Sequence, residues 1–178
     1  MEEQLNDTVE MVVAGITLDQ SNNMPIIILK ALKEEVAIPI WIGLIEASAI
    51  ATELEGLSMP RPMTHDLLKN VIEQLGGKLN KIVVSDLIDN TFYAILFIEQ
   101  GGVMYEIDAR PSDSIALALR CSAPIYVARK VLEKSQHIDM EMLRQALGES
   151  EGEQKEEKDR WTEILEKLKP EDFGKYKM

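Results

Sequence analysis

Apolar positions in this chain gather into short runs before any helical stripe appears. Residues 9–18 alternate loosely and are rich in β-branched side chains, which predicts a strand. Residues 20–25 (Gln-Ser-Asn-Asn-Met-Pro) are turn chemistry. Residues 26–32 and 37–42 then read as strands apolar on both faces, divided by the charged Lys33-Glu34-Glu35. Gly43 breaks that pattern, and the small residues Ala47, Ser48, Ala49, Ala51 and Thr52 predict a closely packed helix over 44–54, ended near Gly56.

Residues 58–63 hold two prolines and read as a loop. Residues 64–75 form an amphipathic helix with Leu67, Leu68, Val71, Ile72 and Leu75 on one face, Thr64 as its N-cap and Gly76-Gly77 as its stop. Residues 81–87 and 91–99 predict a β-hairpin around Asp89-Asn90, and a second turn at Gly101-Gly102 leads into a strand over 103–108. Residues 111–121 are a compact apolar helix, followed by a short strand over 125–127 and a helix from Ala128. Trp41 is read as core.

The strands arrive in runs and do not alternate strictly with helices. The fold class is therefore α+β: one compact domain of mostly antiparallel strands with about three packed helices. Pro39-Ile-Trp-Ile and Pro124-Ile-Tyr-Val are a faint internal echo, each followed by a helix. The domain is expected to span 1–135. Beyond it, 140–147 suggests a short helix, 149–158 is a charged linker, and Trp161, Ile164, Leu165 and Leu168 make a single helical stripe within an acidic tail, 136–178. That stripe is too short to stand alone, so it is expected to dock on its own domain or on a partner. The apolar strands and the tail both need cover, which points to a homo-oligomer, with a dimer favoured.

Charge narrows the function classes. The net charge is −12, with 19 acids against 11 bases in residues 1–135. Passive coating of nucleic acid relies on phosphate neutralisation by Lys and Arg, so this balance argues against it. An enzyme touching a few phosphates remains open. A single cysteine, Cys121, forbids an intrachain disulfide and suggests a reducing compartment. No apolar run approaches the ~20 residues of a membrane span. With an acidic, polar start and no signal-peptide pattern, the expectation is a cytoplasmic protein without membrane association.

Candidate chemistry concentrates in two segments, Arg61-Pro62-Met63-Thr64-His65-Asp66 and Asp108-Ala109-Arg110-Pro111-Ser112-Asp113. Each sets Arg beside Pro and then places a hydroxyl and an acid at the mouth of an apolar helix. A cap accounts for the hydroxyl or one acid, and Pro suits a first turn. His65 at such a place can act as base or metal ligand, or simply lie exposed beside a dipole-complementing Asp66. Asp108 ends a strand, where catalytic carboxylates are often found. Arg110 can grip phosphate or pair with a carboxylate such as Asp113 or Asp66. Glu46 is a third acid at a helix start, a ligand or a first-turn residue. His137 reads as surface, and Cys121 as a small buried hydrophobe.

The same residues carry a resemblance. Pro39-Ile-Trp-Ile-Gly with Glu46-Ala, Pro60-Arg-Pro with Thr64-His-Asp-Leu-Leu, Thr91-Phe-Tyr-Ala, Asp108-Ala-Arg-Pro-Ser-Asp with Ile115-Ala-Leu-Ala, and Pro124-Ile-Tyr-Val resemble, in order, the bifunctional nuclease domain family over roughly 8–135. The resemblance implies an α+β fold and hydrolysis of both DNA and RNA. Its motif positions here are Glu46, Arg61, His65, Asp66, Asp108, Arg110, Ser112 and Asp113.

Two readings follow. In the first the chain is a phosphodiester hydrolase, with Asp66 and Asp108, joined by Asp113 or Glu46, holding Mg²⁺ or Mn²⁺. His65 is then the general acid or base, while Arg61, Arg110 and Ser112 bind the substrate phosphate. In the second the chain is a non-enzymatic regulatory or small-anion-binding module whose Arg/Asp/His cluster is a structural network.

Overall fold

The strand signals assemble into one seven-stranded sheet in the order β3-β2-β1-β7-β4-β5-β6. A computed structural model describes residues 7–19 and 22–135; the tail beyond, with its helical stripe and His137, lies outside the described residues. The strands are β1 (Thr8–Leu18), β2 (Pro25–Ala31), β3 (Ala37–Trp41), β4 (Gly77–Ile88), β5 (Thr91–Gln100), β6 (Val103–Ala109) and β7 (Ile125–Ala128). The helices are α1 (Leu44–Leu54), α2 (Thr64–Gln74), α3 (Pro111–Cys121) and the single-turn α4 (Arg129–Lys134). This is the α+β arrangement expected from strands that come in runs.

Two antiparallel meanders make up the sheet. β1 pairs with β2 and β2 with β3, and on the other side β4 pairs with β5 and β5 with β6. Both turns of the second meander need left-handed backbone, supplied by Asp89 and Asn90 in one and Gly101 and Gly102 in the other. β7 joins the halves, antiparallel to β1 and parallel to β4. Pro39 sits in edge strand β3, where its missing N–H costs no ladder bond on the open side.

The core lies under the centre of the sheet. Ile27, Leu29, Ile38, Ile82, Val83, Val84 and Val127 are fully buried, together with Ile50 of α1 and Ile115 and Leu117 of α3. Strands apolar on both faces are what a covered sheet requires. Trp41 departs from its expected place in the core: it is 43% exposed, and its indole N–H donates to Asp19 Oδ2 at 2.9 Å. No helix of the described residues is long and apolar enough to cross a membrane.

On β4, Asp86 accepts hydrogen bonds from Lys130 Nζ and Lys134 Nζ, both at 2.8 Å, which ties α4 to the sheet. The Lys130 bond, then the Lys134 bond, hold the Asp86 carboxyl far below the usual carboxylate value. A depressed folded value stabilises the fold fully above the unfolded carboxyl's value near ~3.9 and progressively less as pH drops below it. In urea melts, the stability gap between wild type and Asp86→Asn should stay constant from about pH 7 to about pH 5 and shrink below about pH 4. A gap that ignores pH would show that the two lysines do not hold Asp86 as an ion.

Candidate active site

Three helices begin at one place, and each carries an acid at its third position: Glu46 in α1, Asp66 in α2 and Asp113 in α3. Acids in a first turn complement the helix dipole, but here they also engage one another's neighbours. Asp113 is the hub. Its Oδ2 accepts from Arg110 Nε at 2.7 Å, and its Oδ1 accepts from Arg110 Nη2 at 3.2 Å, a two-pronged pair across one helical turn. The same Oδ1 lies 3.2 Å from His65 Nε2. Arg110 Nη1 reaches on to Glu46 Oε1 at 2.8 Å. His65, Asp113, Arg110 and Glu46 thus form one connected group drawn from all three helix starts.

Local sequence explains how each side chain arrives. Pro111 occupies the first turn of α3, with Arg110 extended before it as the N-cap residue. Ser114 Oγ donates to the Arg110 carbonyl at 2.9 Å and steadies that corner. Gly43 is the extended residue before α1, and a Cβ there would collide with Glu46 Oε2. Glycine at 43 therefore lets the Glu46 carboxylate fold back toward Arg110.

Electrostatics follow the geometry. Burial alone would raise the Asp113 carboxyl, yet the hydrogen bonds and charges of Arg110 and His65 outweigh it and hold Asp113 below the usual carboxylate value. The hydrogen bond to Asp113, its charge and then the bond to Glu46 raise Arg110. Because Asp113 is an ionised acceptor, the Nε2 of His65 carries the proton between them, and a neutral ring keeps its lone pair on Nδ1. The His65 side chain is 13% exposed, whereas that of Arg110 is 66% exposed. The imidazole is held; the guanidinium is open to a ligand.

Asp66 belongs to a second, adjoining group. Its Oδ2 accepts from the Met63 N–H at 2.8 Å, and its Oδ1 accepts from Arg120 Nε at 2.6 Å. Burial would raise this carboxyl as well, but the Met63 and Arg120 bonds bring it below its ordinary value. Met63, not Thr64, is the N-cap residue of α2, and Asp66 does the capping. Arg120 had no place among the sequence candidates, yet its side chain is only 4% exposed. Its Nη1 donates to the Ala116 carbonyl at 2.9 Å, and Glu53 of α1 lies 4.0 Å from its Nε. The signal was present in the sequence: one charge in the apolar run Ala-Leu-Ala-Leu-Arg-Cys needs a buried partner.

The remaining candidates stand apart from this group. Asp108 is exposed on β6 opposite Ile95, and Arg61 is exposed in the loop before α2; neither forms an ion pair or side-chain hydrogen bond among the described residues. Ser112 is buried at the second position of α3. Among the described residues no three His, Cys, Asp or Glu side chains are grouped to hold a metal ion. Asp66 is engaged by Arg120 and by the Met63 N–H, while Asp108 joins neither group.

The bifunctional nuclease domain matches residues 27–140, which takes in every member of both groups. This chain belongs to the bifunctional nuclease domain family. An uncharacterised protein of Mycobacterium tuberculosis is 37% identical over 169 residues, covering 92% of this chain and 97% of that protein. Bifunctional nuclease 2 of Oryza sativa subsp. japonica is 27% identical over 144 residues, 78% of this chain and 44% of the plant protein. Bifunctional nuclease 1 of Arabidopsis thaliana is 26% identical over 93 residues, 51% of this chain and 29% of its own length. The chain thus spans less than half of these plant nucleases. Family membership suggests a nuclease.

Proposed function

We propose that this chain hydrolyses phosphodiester bonds of DNA and RNA at the His65–Asp113–Arg110–Glu46 group. The observation that carries the reading is a carboxylate, Asp113, that orients a well-packed imidazole and an exposed guanidinium at once. His65 Nδ1 takes a proton from the attacking water, and Asp113 stabilises the imidazolium that forms. Water oxygen bonds to phosphorus as the bond to the leaving oxygen on the opposite side breaks; that oxygen takes up a proton from solvent, and the imidazolium returns its proton to solvent afterwards. Arg110 turns N–H groups not used by Asp113 or Glu46 toward the non-bridging phosphate oxygens, where negative charge builds. Glu46 limits the swing of that guanidinium. The three helix starts add backbone N–H groups suited to an anion.

The charge pattern supports a second reading. Each charged member of the two groups is already paired, and acids outnumber the arginines. A regulatory or small-anion-binding module with a structural network would look the same at rest.

Cleavage of labelled single- and double-stranded DNA and RNA separates the two, run with Mg²⁺, Mn²⁺ or EDTA beside an Arg110→Ala control. The nuclease reading expects cleavage that falls at least about 100-fold in the control. Stimulation by metal that Asp108→Ala abolishes would make Asp108 a ligand. No cleavage above the control in any condition would end the nuclease reading for this chain.

A further inference from the structure

α2 is turned the opposite way from the usual amphipathic helix. Its polar side faces α3: His65 bonds Asp113, Asp66 bonds Arg120, and Lys69 Nζ donates to the Arg120 carbonyl at 2.9 Å. Its apolar stripe, Leu67, Leu68, Val71 and Leu75, is exposed, with Leu67 at 56% and Leu75 at 68%. Solvent-facing leucines at helical spacing make a patch that calls for cover.

That patch continues onto the sheet. Ile72, beside the stripe, and Ile98 of β5 both crowd Gly77. Ile98 pairs with Tyr105 of the edge strand β6. Every residue of β6 before Ala109 is exposed, including Val103, Met104, Tyr105 and Ile107. The ends of α2 and β6 also coincide. Leu75, which closes α2, accepts from Gln100, the partner of Val103, while His65 near the helix start bonds the helix that follows β6.

We infer that β6 and the apolar stripe of α2 form an interface for a second copy of this chain, with the two β6 strands pairing antiparallel across a twofold axis. β6 holds no proline, no lysine and no bulge, and its two acids, Glu106 and Asp108, alternate with Val103, Tyr105 and Ile107 and so leave one face of the strand apolar, whereas the opposite edge strand β3 carries Pro39. The strand is also complementary to itself. Centred on Tyr105, the pairing sets Val103 against Ile107, Tyr105 against Tyr105 and Met104 against Glu106. Centred on Glu106, it would set like charges directly opposite, which destabilises a ladder. The apolar face and the acids therefore select the same register, and an isologous contact of this kind closes at two copies. This proposal does not depend on the nuclease reading.

Sedimentation equilibrium of the full chain tests it. Wild type should be a dimer, and Tyr105→Lys should weaken dimerisation by about 100-fold or more, because each dimer carries the change twice at its centre. In a Cys121→Ser background, Tyr105→Cys should cross-link to itself under mild oxidant, and Glu106→Cys should do so at least about tenfold more slowly, since facing Cα atoms lie within disulfide reach. The cross-link decides the matter even where Tyr105→Lys fails to fold. A monomeric wild type, or a dimer that neither responds to Tyr105→Lys nor cross-links through residue 105, overturns the proposal.

Discussion

Replacing His65 by alanine is expected to lower kcat for nucleic-acid cleavage by roughly 100- to 10,000-fold, the range for losing a positioned acid–base group. The loss should fall on kcat with KM little changed, since Arg110 and the helix starts still bind phosphate. Stability should fall by only about 1 kcal/mol, the net worth of one hydrogen bond to Asp113. Asp113→Asn is the companion. It leaves an acceptor near Nε2 but removes the charge that favours the imidazolium, and it weakens the grip on Arg110. Its rate should therefore fall too, with some loss of substrate binding. Unchanged turnover in purified His65→Ala would remove the imidazole from the reaction and point to another nuclease in the preparation.

Arg120→Ala should show the opposite profile, a large loss of stability that precedes any loss of turnover. The side chain bridges the three main helices: it sits in α3, bonds Asp66 of α2 and approaches Glu53 of α1. Alanine would leave a cavity, remove the side-chain bond to the Ala116 carbonyl and leave Asp66 held only by the Met63 N–H. Breaking a fully buried pair costs about 3–5 kcal/mol. Asp66 is 34% exposed and can regain water, so the lower end, about 3 kcal/mol, is expected. For a domain of this size that is a fall in Tm of roughly 6–12 °C. Arg120→Met, which fills the cavity, should recover part of the loss. A Tm within about 2 °C of wild type in Arg120→Ala would mean that the bridge contributes little to the folded state.

The sheet was largely legible in the sequence because strand signals are local. Period-two patterning, β-branched residues and the two turns at Asp89-Asn90 and Gly101-Gly102 each act within a few positions, and all reappear in the structure. β4 begins four residues before the sequence suggested, at Gly77, since pairing with β5 carries the strand through the polar Lys78 and Asn80. The stripe of α2 was recognised, but its direction was not. Leucine spacing identifies an apolar face and cannot tell whether the chain itself covers it. The direction is set by Asp113 and Arg120, some fifty residues away, which draw the polar side of α2 inward. The site was legible as two segments, Arg61–Asp66 and Asp108–Asp113 in sequence terms, and the structure divides them. His65 joins Arg110, Asp113 and Glu46, Asp66 goes to Arg120, and Arg61 and Asp108 join neither group.

The strand made last of those described lies in the middle of the sheet, which sets an order of assembly. β1 to β3 and β4 to β6 each join neighbours in the chain, so each meander can form from local contacts. They become one sheet only when Ile125–Ala128 enters between β1 and β4. Such distant pairing delays folding, because loop closure must precede the contacts that reward it. Until then β1 and β4 both present open edges, the places where partly folded chains aggregate. A nascent chain halted before residue 125 would hold two half-sheets with nothing to seal them. The shortest strand of the sheet is the one that completes it.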